Sequence, residues 1–243
     1  MSVRPDVRLL VATALLLGAL PARAAPYERP LGVQRVVPED RHDPVGEQRC
    51  TYYRDWMVRE SGVDTPGPGP AELVVLTGAA PAAGCATAPA ARVLDTVGFS
   101  FLGRRGEYLV FTATDPNGAV DFRVLDGRDG ARVFADASAP GSPPSADRLP
   151  AGLRLRYRRA LNAPCSLVAA GETCWQTLLD SGRIPADLKD ARPSITTCRE
   201  GYAYPGVTPD SPTLVMYPVT VMAGGGAPPR VTRTGRVRCG VVP

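Results

Sequence analysis

Six cysteines constrain this chain more than any other feature: Cys50, Cys85, Cys165, Cys174, Cys198 and Cys239. They follow an N-terminal stretch, MSVRPDVRLLVATALLLGALPARAAP, that is built like an export leader. Arg4 and Arg8 form a basic start, Leu9 to Leu20 an apolar run, and Ala22 and Ala24 supply the small residues that signal peptidase reads. The run is shorter than the roughly 20 residues that span a bilayer, so no transmembrane anchor is expected once residues 1–24 are removed. Cysteines even in number, in an oxidising compartment, read as three disulfides. Six cysteines allow many pairings, and the sequence alone does not choose among them. The scheme preferred here is nearest neighbours, Cys50–Cys85, Cys165–Cys174 and Cys198–Cys239, each closing a modest loop and contributing about 2–4 kcal/mol. A zinc site would need closer cysteine pairs or histidine partners, and neither is present.

The mature chain has 25 basic and 23 acidic residues, and Lys189 is its only lysine. That balance is too even to argue for nucleic acid. Residues 25–49 carry Pro26, Pro30, Pro38 and Pro44 and read as an extended arm with one edge strand near Leu31 to Val37. Residues 50–243 read as a single β-rich domain, with a flexible loop and sub-boundary near 137–150.

Strand patterns run through that domain. ELVVLT, GEYLVFTAT, AVDFRVLD and ARVFAD are short and β-branched or alternating, and the last three form a meander with turns at DPNG and DGRDG. GLRLRYRRA has the clearest period of two: Leu153, Leu155 and Tyr157 face in, and Arg154, Arg156 and Arg158 face out. GETCWQTLLDSG sets Trp175, Leu178 and Leu179 on one helical stripe that Gly182 ends. The C-terminal segment reads as a hairpin, TLVMYPVTVM and RVTRTGRVRCGVV around AGGGAPP, with Pro218 marking an edge or bulge. The expected fold is mainly β: an antiparallel sandwich or meander with one short helix, stapled by disulfides.

The chain lacks the motifs of common enzymes. Its single histidine, His42, sits in the Pro-rich arm and reads as a solvated surface residue. There is no G-x-S-x-G, S-x-x-K, H-E-x-x-H, phosphate-binding loop or C-x-x-C. A carboxylate pair, as in glycosidases, stays open, with Asp55, Glu60, Asp115 and Asp121 among the candidates. The acid-rich stretch TATDPNGAVDFRVLDGRDGARVF raises a cation loop, with Asp115, Asn117 and Asp121 as its weak ligand candidates. Counted from Asp115, a calcium loop fails at its fifth and sixth positions, Ala119 and Val120. Asp-Pro-Asn-Gly suits a type I turn instead, so no metal and no cofactor is assigned.

Two features suit binding. Tyr52, Tyr53 and Trp56 crowd into five residues and serve either as core or as a stacking surface. Arg154, Arg156 and Arg158 form one arginine row, and Arg230, Arg233, Arg236 and Arg238 lie on another strand. Guanidinium forks suit carboxylates and phosphates, while alternation alone also places polar residues on a wet sheet face.

CTYYRDWMVRE, then FSFLGRRGEYLVFTATDPNGAVDFRVLDGRDGARVFAD, LRYRRALNAPCSLVAAGETCW, PTLVMYPVTVM and GRVRC occur in that order. Over Cys50 to Cys239 the chain resembles a family of exported Gram-negative bacterial proteins to which no activity is attached. The resemblance implies export, β-rich structure and disulfides. Its members carry a more acidic run where this chain has TATDPNG, which weakens a cation site here.

The reading is therefore a periplasmic or secreted, non-catalytic binding protein. It would present Tyr52, Trp56 and the arginine strands to a partner protein or a cell-envelope polymer. The alternatives are a carboxylate-based hydrolase acting on such a polymer, and an inhibitor or immunity protein against an envelope-targeting enzyme.

Overall fold

In the computed structural model, residues 27–39, 46–65, 67–76, 85, 91–114 and 118–242 are described. The leader, His42, Asp115, Asn117 and most of the DPNG turn lie outside them. The chain forms two antiparallel sheets. The first is a five-stranded meander: β1 (Gly32–Val36), β2 (Gln48–Tyr52), β3 (Trp56–Ser61), β4 (Glu72–Val75) and β5 (Arg92–Val93). The Pro-rich arm thus supplies the edge strand, and β1 pairs with β2 from Gly32↔Tyr52 to Val36↔Gln48.

The second sheet begins as a meander of β6 (Phe99–Arg105), β7 (Tyr108–Ala113), β8 (Val120–Asp126) and β9 (Arg132–Ser138). It continues through β11 (Gly152–Asn162) and β12 (Thr213–Ala223), each eleven residues long. β10 (Ser145–Leu149) pairs with β11, while β13 (Arg230–Arg233) and β14 (Arg238–Val241) both pair with β12. The stretch expected as a flexible loop, 137–150, is corrected in part: β10 occupies its second half, and Ala146 is buried in the main core. Proline and serine near its start hid a strand whose pairing partner lies just downstream.

Strand β7 explains the layering. Its run Tyr108-Leu109-Val110-Phe111 is buried throughout, as a strand covered on both faces must be. Tyr108 and Val110 enter the main core with Leu153, Leu155 and Val219. Leu109 and Phe111 enter a second core with Val58 and Leu73 of the first sheet. The sheets stack there, giving a sandwich-like arrangement. Backbone pairing between β9 and β11 is limited to Arg159↔Ser138. Side chains take over: Tyr157 and Arg159 both donate to the carboxylate of Asp136 on β9.

Helix α1 (Gly171–Asp180) buries Cys174, Trp175 and Leu178 against the main core. The structure adds a 3₁₀ helix, Ala186–Ala191, and a second short helix, α2 (Ile195–Gly201). Ser194 caps α2 by accepting from the Thr197 N–H. The disulfides are Cys50–Cys85, Cys165–Cys174 and Cys198–Cys239, the nearest-neighbour scheme. The last ties α2 to β14, and Cys165–Cys174 ties α1 to the segment that precedes it. Among the described residues, no helix is long and apolar enough to cross a membrane.

Candidate functional site

Trp56 opens β3 immediately after the turn at Arg54–Asp55, so its indole emerges at the end of the first sheet. Three parts of the second sheet meet it there: the β6–β7 turn at Gly106 and Glu107, the β8–β9 turn at Gly127 and Arg128, and Arg148 on β10. Together with Val75 and Arg92 they enclose an open cleft of about 540 Å³. The two turns are joined by Gly127 N–H donating to the Glu107 carbonyl at 2.7 Å. Gly127 is required by the indole: a Cβ there would lie 2.7 Å from Trp56 Cη2.

Arg104 fixes the aromatic floor. Its guanidinium lies 4.3 Å from the Trp56 ring centroid and 4.8 Å from that of Tyr53. It also pairs with Asp55 at 2.6 Å and with Glu28 at 3.0 Å. The Trp56 indole N–H donates to the other Asp55 oxygen at 2.5 Å. Burial opposes ionisation of Asp55, but the Arg104 and Trp56 hydrogen bonds outweigh it and hold the carboxyl below its ordinary range. Burial pushes the Tyr53 phenol up to about 12, against the pull of Arg104.

Two of the three remaining arginines of the cleft are also paired with carboxylates. Arg148 meets Glu107 at 3.2 Å. Arg128 meets Asp126 at 2.5 Å, and this hydrogen bond, stronger than the opposing burial, holds the Asp126 carboxyl below its ordinary range. Arg92 donates to the Arg128 carbonyl at 2.5 Å and is exposed. The cleft therefore presents one indole, four guanidiniums and two carboxylates, Asp55 and Glu107, each tied to an arginine.

Of the aromatic trio in the sequence, only Trp56 reaches this cleft. Tyr52 is 2 % exposed, packs with Cys50, Met57 and Val74, and donates to Gln34 Oε1 at 2.9 Å. Tyr53 is buried edge-on against Phe101. Neither tyrosine can be presented to a partner, because alternation along β2 and the tight turn after it point both into cores. Arg154 and Arg156 face outward on β11 as expected, yet both are bound by Asp147, at 3.1 and 2.7 Å. Arg158 lies farther along the same face, at a separate concavity. The structure thus does not bring Trp56 and the Arg154–Arg156–Arg158 row together.

Asp121 points to solvent on β8. Among the described residues, no group of three His, Cys, Asp or Glu side chains could hold a metal ion. Glu60, one of the candidate carboxylates, is 1 % exposed and receives two bonds from Arg49, at 2.8 and 2.9 Å. The residues missed from sequence are Arg92, Arg104, Arg128 and Arg148. Their signal was faint: Arg104 and Arg128 flank glycine turns in FLGRRGEY and DGRDG, where hairpin tips are expected.

Fold and site define a disulfide-stapled, sandwich-like β protein with an open, arginine-lined cleft on an indole floor. No protein-family model, curated protein or solved structure matches the chain.

Proposed function

We propose that this is an exported, non-catalytic binding protein whose cleft holds a segment of an acidic cell-envelope glycan. One observation carries the reading: an indole backed by Arg104 floors an open cleft rimmed by Arg92, Arg128 and Arg148. A flat aromatic suits the apolar face of a sugar ring, and guanidinium forks suit its carboxylates. Both lining carboxylates are committed to arginines. Asp55 is shifted toward ionisation, the opposite of what a general acid needs. That favours binding over carboxylate-based hydrolysis. Three disulfides are consistent with the oxidising compartment of the periplasm or the extracellular space.

The test is a fluorescence titration with uronic-acid oligosaccharides, with neutral oligosaccharides of equal length as control. Acidic oligosaccharides should change Trp56 emission and bind more tightly than neutral ones. Trp56→Ala should abolish binding, and Arg92→Gln, an exposed change, should weaken it by about tenfold, the value of one charge-assisted contact. No binding by either class would sink the reading. Release of shortened oligosaccharides would replace it with the hydrolase.

A further inference from the structure

On the outer face of the second sheet, away from the cleft, Pro218 sits in the middle of β12. Its carbonyl accepts from the Thr234 N–H at 3.1 Å, so the side of the strand facing β13 and β14 is the side on which proline has no N–H to give. The neighbouring segment leaves the ladder at that point: β13 ends at Arg233 and β14 begins at Arg238. Gly235 crosses directly over the proline ring, where a Cβ would lie 2.6 Å from Pro218 Cγ. The detour opens a concavity of about 420 Å³ whose charged lining is Arg158, Arg236 and Arg238.

We propose that this concavity is a binding site for a phosphate-type oxyanion, separate from the cleft and independent of the glycan reading. All three arginines are exposed, and among the described residues none of them has a carboxylate partner. Their neighbours differ: Arg154 and Arg156 share Asp147, Arg159 is bound by Asp136, and Arg233 by Asp187. Beside Pro218, three guanidiniums gather without a carboxylate among the described residues to neutralise them.

The backbone beneath is fixed. Val237 and Cys239 point inward and are 6 % exposed, and Cys239 is crosslinked to Cys198. Alternation then turns Arg236 and Arg238 outward together. Arg158 approaches from β11, held next to Pro218 by the Arg158↔Pro218 pairing and contacting Ser142 Oγ at 3.5 Å. Three planar forks on a rigid floor, with no competing carboxylate, suit a doubly charged tetrahedral anion better than a single carboxylate.

The experiment is calorimetric titration of the intact, disulfide-bonded protein with inorganic phosphate near neutral pH, at ionic strength held constant with chloride. Saturable binding is expected. The double variant Arg158→Gln/Arg238→Gln should weaken it by about tenfold or more, and Arg236→Gln alone should weaken it less. Arg154→Gln/Arg156→Gln, on the same face but bound to Asp147, should leave it within about twofold. The proposal is overturned if the wild-type protein shows no saturable phosphate binding, or if both double variants bind phosphate as the wild type does. A second arm uses vesicles containing phosphatidic acid. Vesicle binding that free phosphate competes away would assign the source to a lipid headgroup. Phosphate binding without vesicle binding would assign it to a phosphate in solution or on a non-lipid polymer.

Discussion

Replacing Arg49 with methionine would leave the Glu60 carboxylate buried and uncompensated at the junction of the two sheets. Glu60 sits on β3, and its side chain is 2 % exposed. It accepts two hydrogen bonds from Arg49, at 2.8 and 2.9 Å, and a third from the Phe101 N–H on β6 at 2.7 Å. The carboxylate is therefore a buried polar tie between the first sheet and the second. Removing one partner of a buried pair costs about 3–5 kcal/mol. Arg49 is a quarter exposed, so water partly replaces it, and the lower figure of about 3 kcal/mol applies. Glu60→Gln keeps an acceptor for Phe101 and removes the charge, so it should cost about 1–2 kcal/mol. In the double variant the lone charge is gone, and the combined loss should fall short of the sum by at least about 1 kcal/mol. Urea unfolding with disulfides intact measures all four proteins. Trp56 in the first sheet and Trp175 in the main core report on separate sides of the junction. A loss below about 1 kcal/mol for Arg49→Met would match an exposed ion pair and refute the reasoning.

The disulfides should rank by the loops they close. Separations of 9 residues for Cys165–Cys174 and 41 for Cys198–Cys239 give chain-entropy contributions of about 2.6 and about 3.9 kcal/mol. Replacing each pair by alanines should therefore cost about 1 kcal/mol more at Cys198–Cys239, read from urea unfolding free energies; equal or reversed losses would contradict the ranking. Asp126 should stabilise the fold in a pH-dependent way. Its folded pKa is depressed, so the contribution is present above the ordinary value of about 3.9 and lost as pH falls through the folded value. Asp126→Asn should flatten that part of the acid unfolding curve, and an unchanged acid limb would show that the Arg128 contact contributes nothing.

Much of the β architecture was legible because a half-buried strand must alternate. Leu153, Leu155 and Tyr157 face the core and Arg154, Arg156 and Arg158 face out, as the period of two requires. Pro218 marked a break in the sheet because proline lacks an N–H. Trp175 and Leu178 marked α1 by helical spacing. Helix α2 was missed because ITTCREG carries little apolar periodicity, although Ser194 was a readable cap. Strand β10 was missed because its pattern is short and sits among prolines and serines.

The sequence by itself determined which faces are wet, which segments turn, and that an oxidised chain with six cysteines would be stapled. Tertiary structure decided everything that depends on which strands are neighbours. Alternation sets a residue's face but says nothing of what that face meets. Trp56 and Tyr53 lie three residues apart, yet one lines a cleft and the other is core, because hairpin tips at 106–107 and 127–128 meet only the first of them. The arginines of that cleft come from β5, β6, β10 and the β8–β9 turn, and no local pattern could have assembled them. The unneutralised trio at Pro218 exists for the same reason: residues 158, 236 and 238 converge only when β11, β12 and β14 lie side by side.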